Sequence, residues 1–208
     1  MGLTELLEHF FELYGRRDRI YLSSLQKRIH YLGSGIGDLQ DAIRKEVRVH
    51  SIGDALSRVV RRIFCLAEHF KGLDFVEVLT QKYPLTKCAY CQKLPCQCPP
   101  TRLKLVLEKK SNARQKRWGL KKWCVNFNAV YGEKNKFRGI ENLLNRLFKE
   151  ATELQLLLLQ VESGQKMISL EEVEQEYLLE LADTFAWTIA VANFLDIDLE
   201  AEVLKKYG

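Results

Sequence analysis

Apolar side chains recur at helical spacing through most of this chain, and that period constrains the fold more than any other property. Ile140, Leu143, Leu144, Leu147, Leu154, Leu157 and Leu158 fall mostly three and four residues apart, as on one face of an α-helix. Long stretches of Leu, Glu, Lys and Ala, broken by only four prolines and twelve glycines, extend the same preference to the rest. The expected fold class is therefore all-α. With 208 residues, 47% of them apolar, the chain can bury a real core, as one large domain or two small ones. No apolar run approaches the ~18 residues of a membrane span. The start, MGLTELLEHFFELYG, is acidic and amphipathic, unlike a secretion signal. A cytoplasmic protein with no membrane partner is expected.

The spacing predicts one long helix from Phe137 to Glu162, ended by Ser163 and Gly164. A second helix should begin after Ser169, with Glu172 placed to complete a capping box, and run antiparallel to the first as far as about Leu195. Asp196 and Asp198 should then open a short last helix ending at Tyr207. The first part of the chain has a similar outline over residues 17 to 83. Three sequence echoes support a repeat. Phe11 to Arg19 is echoed by Asn128 to Lys136, each with Tyr-Gly expected to end a helix; Leu66 to Phe70 is echoed by Val191 to Leu195; and Glu77 to Tyr83 is echoed by Glu202 to Tyr207. The expected organisation is a helical copy over 1–87, a Cys-rich knot and basic linker over 88–112, and a second helical copy over 113–208. The segment Arg102 to Glu108 fits a short strand or a helix.

Charge is unevenly spread. Thr101 to Arg138 holds twelve Lys or Arg against two Glu, whereas Glu141 to Gly208 holds fourteen acids against five bases. A basic band of this kind attracts nucleic acid or polyphosphate, or is simply a solvated linker or helix face, the reading favoured here. Cys88, Cys91, Cys96 and Cys98 place four thiols within eleven residues, with Pro95 and Pro99 tightening the turns. In a cytoplasmic protein that spacing points to a structural Zn2+ site, since one ion satisfies all four thiolates, whereas disulfides between such close neighbours would be strained. Cys65 and Cys124 read as ordinary buried or half-buried thiols.

Within the acidic end, Glu150 and Glu153 are three residues apart, and so are Glu180 and Asp183, so each pair shares one face of its helix. The 26 residues between the pairs supply the rest of one helix, a turn and the start of the next, which brings the second pair back level with the first. Each pair is embedded in apolar residues, Leu147 and Leu154 around one and Leu178 and Leu181 around the other. Four carboxylates near an apolar seam repel and are costly to desolvate unless a divalent cation binds them. Oxygen ligands suit Mg2+ or Mn2+. A diiron bundle would want Glu-x-x-His, and no histidine follows His69.

These residues carry a resemblance. Glu150-Ala-Thr-Glu153 and Glu180-Leu-Ala-Asp183, followed by Asn193-Phe-Leu-Asp-Ile-Asp-Leu-Glu200, resemble the ExxE and ExxD motifs of the MazG-like all-α nucleoside triphosphate pyrophosphohydrolases over about 70 residues of the second copy. Ala151 and Thr152 depart from the family's usual Glu and Gly but leave the four acids intact. The resemblance implies a magnesium-dependent nucleotide pyrophosphohydrolase that converts a nucleoside triphosphate to monophosphate and pyrophosphate. Glu150, Glu153, Glu180 and Asp183 would be its catalytic and metal-binding residues, and Asn193, Lys205 and Lys206 candidates for substrate binding. It further implies helices shared between neighbouring subunits and favours a homodimer; Cys-rich tails follow the Lys-Tyr end of some such proteins, as the knot follows Lys82 and Tyr83 here. In the first copy, the Tyr-Gly echo puts Leu32 and Gly35 opposite Glu150 and Glu153, aligning Asp38 with Glu153 puts Gly35 and Asp38 there, and the Ala67/Ala192 alignment puts Ala55 and Arg58 opposite Glu180 and Asp183, so at most one acid remains. That copy is expected to be a scaffold without metal. Its Arg58, Arg61 and Arg62 are candidates to reach the triphosphate, with ion pairing the favoured alternative. A rival reading is a non-catalytic regulatory protein, in which the quartet binds metal-nucleotide or the basic band and knot bind nucleic acid.

Overall fold

The computed structural model describes residues 1–45, 49–70, 74–99, 104–108, 112–165 and 169–208. Among them are nine helices and no strand: α1 (Leu3–Tyr21), α2 (Leu25–Arg44), α3 (Val49–Ala67), α4 (Phe75–Lys82), α5 (Ala113–Lys116), α6 (Leu120–Arg138), α7 (Ile140–Glu162), α8 (Leu170–Phe194) and α9 (Leu199–Tyr207). All four prolines fall between Pro84 and Pro100, so nothing in the sequence on either side denies a backbone N–H to a helix. No single described helix is long and apolar enough to cross a membrane.

Local signals set most ends. Ser169 accepts from the Glu172 N–H while Glu172 reaches back to the Ser169 N–H, the expected capping box at the start of α8. Asp198 caps α9 through the Ala201 N–H, and Asp74 caps α4 through Val76 and Glu77. Two expectations fail. The helix foreseen from Phe137 to Glu162 is divided at Gly139, whose φ of 75° and ψ of 163° lie where only glycine is at ease. Conversely, Gly15 and Gly132 do not end helices: α1 and α6 run on to Tyr21 and Arg138, because one interior glycine weakens a helix without stopping it. Arg102 and Leu103 lie outside the described residues. Residues 104–108 are neither strand nor helix, but are tied down by Val106 N–H to Ala89 O and Glu108 N–H to Gln81 O.

The two halves repeat the same succession of three long helices and one short one, α1 to α4 and α6 to α9. Their packing is reciprocal. The most extensive pairings are α2 with α3 and α7 with α8; across the halves, α4 packs on α8, α9 packs on α3, and α2–α7 and α3–α8 meet each other. One hydrophobic cluster runs through both, including Leu32, Leu56 and Ile63 on one side and Leu147, Leu181 and Ile189 on the other. Ring contacts repeat the reciprocity: Tyr207 packs on Phe10 and Tyr14, and Tyr83 on Phe127 and Tyr131.

Candidate functional site

On α7 the buried stripe of Leu143, Leu147, Ala151, Leu154 and Leu158 faces the core, and Glu150 sits at its margin, 7% exposed. Glu180 projects from α8 at the same level. Carboxylate oxygens of Glu150, Glu153 and Glu180 lie within 4.8 Å of one another, close enough for one cation to bridge. Asp183, the fourth acid of the expected quartet, lines the same cavity but is held differently. It accepts from the Lys82 ammonium at 2.7 Å and from the Tyr83 hydroxyl, both carried across from α4 and its C-terminal end. Lys82 also donates to the Leu179 carbonyl at 2.7 Å, so its buried charge is tied at two points.

The electrostatics show what this convergence costs. Burial, then the hydrogen bond with Glu153 and the charge of Asp183, push the Glu150 carboxyl from 4.5 up to about 8. Burial likewise raises Glu180. Lys149 offsets part of the repulsion by pairing with Glu153 and lying 3.9 Å from Glu150. Without a cation the site therefore retains a proton near neutral pH. A hard divalent ion that accepts oxygen ligands suits this donor set.

These acids form one side of a cavity of about 460 Å³. Lys134, Arg138 and Arg146 bring positive charge to the same cavity, and Tyr90, Tyr131 and Trp187 bring rings. The Arg138 guanidinium lies over the Trp187 ring, 5.4 Å from its centre. The space thus combines an acidic corner, a cationic flank and aromatic surface.

Cys88, Cys91, Cys96 and Cys98 also converge, with their sulfurs within 4.8 Å of one another and no disulfide among the described cysteines. The Tyr90 N–H points to the Cys88 sulfur at 3.4 Å and the Gln97 N–H to the Cys91 sulfur at 3.3 Å. Against the cost of burial, the backbone N–H groups of Lys93 and Gln97 bring the Cys91 thiol down to about 7. Four sulfurs so placed can hold a metal ion such as zinc. Burial pushes Cys65 and Cys124 up to about 12, the behaviour of inert structural thiols.

The other expected site residues are elsewhere. The Asn193 amide donates to the Cys124 carbonyl at 2.9 Å, holding α8 to α6. Lys206 pairs with Asp54 and Lys205 lies 3.8 Å from Glu202; none of the three lines the cavity. The sequence reading missed Lys82 and Tyr83, although the signal was present: they are the echo of Lys206 and Tyr207, and the reciprocal packing carries each short helix onto the opposite half.

In the first half, the positions matching the quartet are filled. Arg62 donates to the Tyr31 carbonyl at 2.8 Å and the Ser34 hydroxyl at 2.9 Å and lies 3.8 Å from Asp38. It lies so close to Gly35 that a Cβ there would sit 2.4 Å from its guanidinium. Arg61 is buried against Asp18, and Arg58 pairs with Asp54. The three arginines are thus engaged within their own half, and none lines the cavity. No protein-family model, curated protein or solved structure matches the chain.

Proposed function

We propose that the chain is a magnesium- or manganese-dependent nucleotide pyrophosphohydrolase of the MazG-like kind. It would act on one nucleoside triphosphate per chain through Glu150, Glu153, Glu180 and Asp183. The observation that carries this is the convergence of one buried and three half-buried carboxylates from α7 and α8 on a cavity whose other walls are cationic and aromatic. A divalent ion bound by those acids would neutralise phosphate charge and lower the pKa of a bound water. The chain's own residues do the rest. Lys82 and Tyr83 fix the Asp183 carboxylate, Lys149 restrains Glu153, and Arg138 and Arg146 add charge complementary to a polyphosphate. One of the four carboxylates accepts the proton of the attacking water.

The nucleic-acid alternative draws less support, because part of the basic band is paired within the chain: Lys116 with Glu77, Lys121 with Asp198 and Lys136 with Glu133. Phe148, Leu156 and Leu159 are about half exposed along α7, which supports the proposed homodimer. The test is a panel of nucleoside triphosphates incubated with magnesium. Pyrophosphate release that disappears in Glu150→Gln and in Asp183→Asn is expected, whereas triphosphate left intact across the panel would overturn the enzyme reading.

A further inference from the structure

The cysteine knot does not stand apart from the acidic site. Cys88, Cys96, Cys98 and Tyr90 line the same cavity as the carboxylates. We propose that the knot is a working wall of the nucleotide pocket, so that the zinc it holds governs nucleotide affinity as well as local structure. This rests on the nucleotide reading above and adds to it a means of control.

Three attachments join the knot to α6. The Cys96 N–H donates to the Val130 carbonyl at 2.8 Å, the Lys134 ammonium to the Cys98 carbonyl at 2.6 Å, and the Ala89 N–H to the Tyr131 hydroxyl at 3.1 Å. Lys134 and Tyr131 themselves face the cavity. Tyr131 packs edge-on against Tyr83, whose hydroxyl binds Asp183. A line of contacts therefore runs from the sulfurs to one of the four acids.

Residues 88–99 form no helix or strand. Cys88 and Ala89 are buried, but Cys91, Cys96 and Cys98 are only partly so, and apolar packing holds one end of the loop more than the rest. In such a segment the metal bond supplies the folding energy. Removing the ion releases the Tyr90 ring and the carbonyl that anchors Lys134. The carboxylates of α7 and α8 stay in place, because helix packing holds them. The ligand matching this wall is a nucleotide with its phosphates toward Lys134 and its base against the Tyr90 ring. Zinc loss therefore weakens nucleotide binding while sparing the carboxylate cation site.

The experiment uses the full chain with its zinc content measured by elemental analysis. Two affinities are read by titration calorimetry: for Mn2+ alone, and for a non-hydrolysable nucleoside triphosphate with magnesium. Cys91 is the ligand to change, since it does not line the cavity. Cys91→Ser is expected to lose zinc, keep its Mn2+ affinity and bind the analogue roughly tenfold or more weakly, the scale of one lost base-stacking contact. Tyr90→Ala and Lys134→Met should keep zinc and a cooperative melt yet weaken the analogue; they decide the matter if Cys91→Ser does not fold. Zinc-free protein that binds the analogue as tightly as the parent, or unchanged affinity in both zinc-retaining variants, overturns the proposal. Zinc-dependent analogue binding without pyrophosphate release would instead leave the wall standing and remove the hydrolase reading.

Discussion

Burial and two neighbouring acids hold the Glu150 carboxyl near 8, so its ionised form is costly in the folded chain. The consequence for the metal-free protein has a definite sign. Between about 4.5 and 8 the folded chain keeps a proton on Glu150 that the unfolded chain has released, so stability is fully present below the lower value and is lost as pH rises through the upper one. Urea unfolding in EDTA should show stability falling across that window by up to ~1.4 kcal/mol per pH unit, and Glu150→Gln should flatten the fall. A variant with the parent's slope would mean that another group carries it. Lys82 makes a complementary case: its side chain is 3% exposed and faces Asp183 at 14%. Lys82→Met strands a partly buried carboxylate and should cost about 3 kcal/mol, read by denaturant titration. Much of that cost should return in the double variant with Asp183→Asn, since both charges are then gone.

At the scale of helices, legibility followed the range of the interaction. Ser169 with Glu172 and Asp198 at the start of α9 could be read in advance, because a cap and the N–H groups it satisfies lie within four residues of each other. The i, i+3 acid pairs were legible for the same reason, and a short stretch of sequence between two helices sufficed to bring Glu150 and Glu180 together. Gly139 was missed because the apolar period of α7 continues smoothly past Phe137, while the break depends on a backbone conformation that no periodicity reports. Phe137 itself is 94% exposed, at the end of α6 rather than in the stripe. The kink should be open to direct test. A Cβ at Gly139 would meet nothing within 4 Å, so Gly139→Ala carries only the backbone penalty. That penalty is about 1–3 kcal/mol for a side-chain-bearing residue in this region, measurable as a lower melting temperature. Loss of the junction between α6 and α7 would also displace Arg138 relative to Arg146 in the cavity wall, so the proposed hydrolysis should slow with it. Lys82 and Tyr83 carried a signal in their echo of Lys206 and Tyr207, but that they and the knot lie beside the acids was not legible, because it depends on which helix meets which far along the chain.

That crossing governs the whole molecule. The sequence echoes suggested two copies, and α4 lies on α8 and α9 on α3, so each half is finished by the other's last helix. α4, with its buried Phe75, Val76 and Leu79, would lose its packing on α8, and α9, with its buried Val203, its packing on α3, if either half stood alone. Phe185 would lose Phe64 and Phe75, and Asp183 would lose both Lys82 and Tyr83. Burying three or four apolar side chains is worth about 1.5–3 kcal/mol each, comparable to the entire 5–15 kcal/mol that separates most domains from their unfolded state. Residues 113–208 expressed alone should therefore not fold as a monomer, despite carrying all four acids, and should give the circular dichroism of a loosely helical chain with no cooperative melt. The full chain should unfold in one transition seen alike by tryptophan fluorescence, which reports Trp118, Trp123 and Trp187 of the second half, and by far-ultraviolet dichroism, which reports both. Co-expression of 1–112 with 113–208 should restore the folded state, because the contacts at stake lie between the halves and do not depend on the peptide bond joining them. A second half that melts cooperatively and hydrolyses triphosphate by itself would show that α4 and the knot are appended to a self-sufficient site.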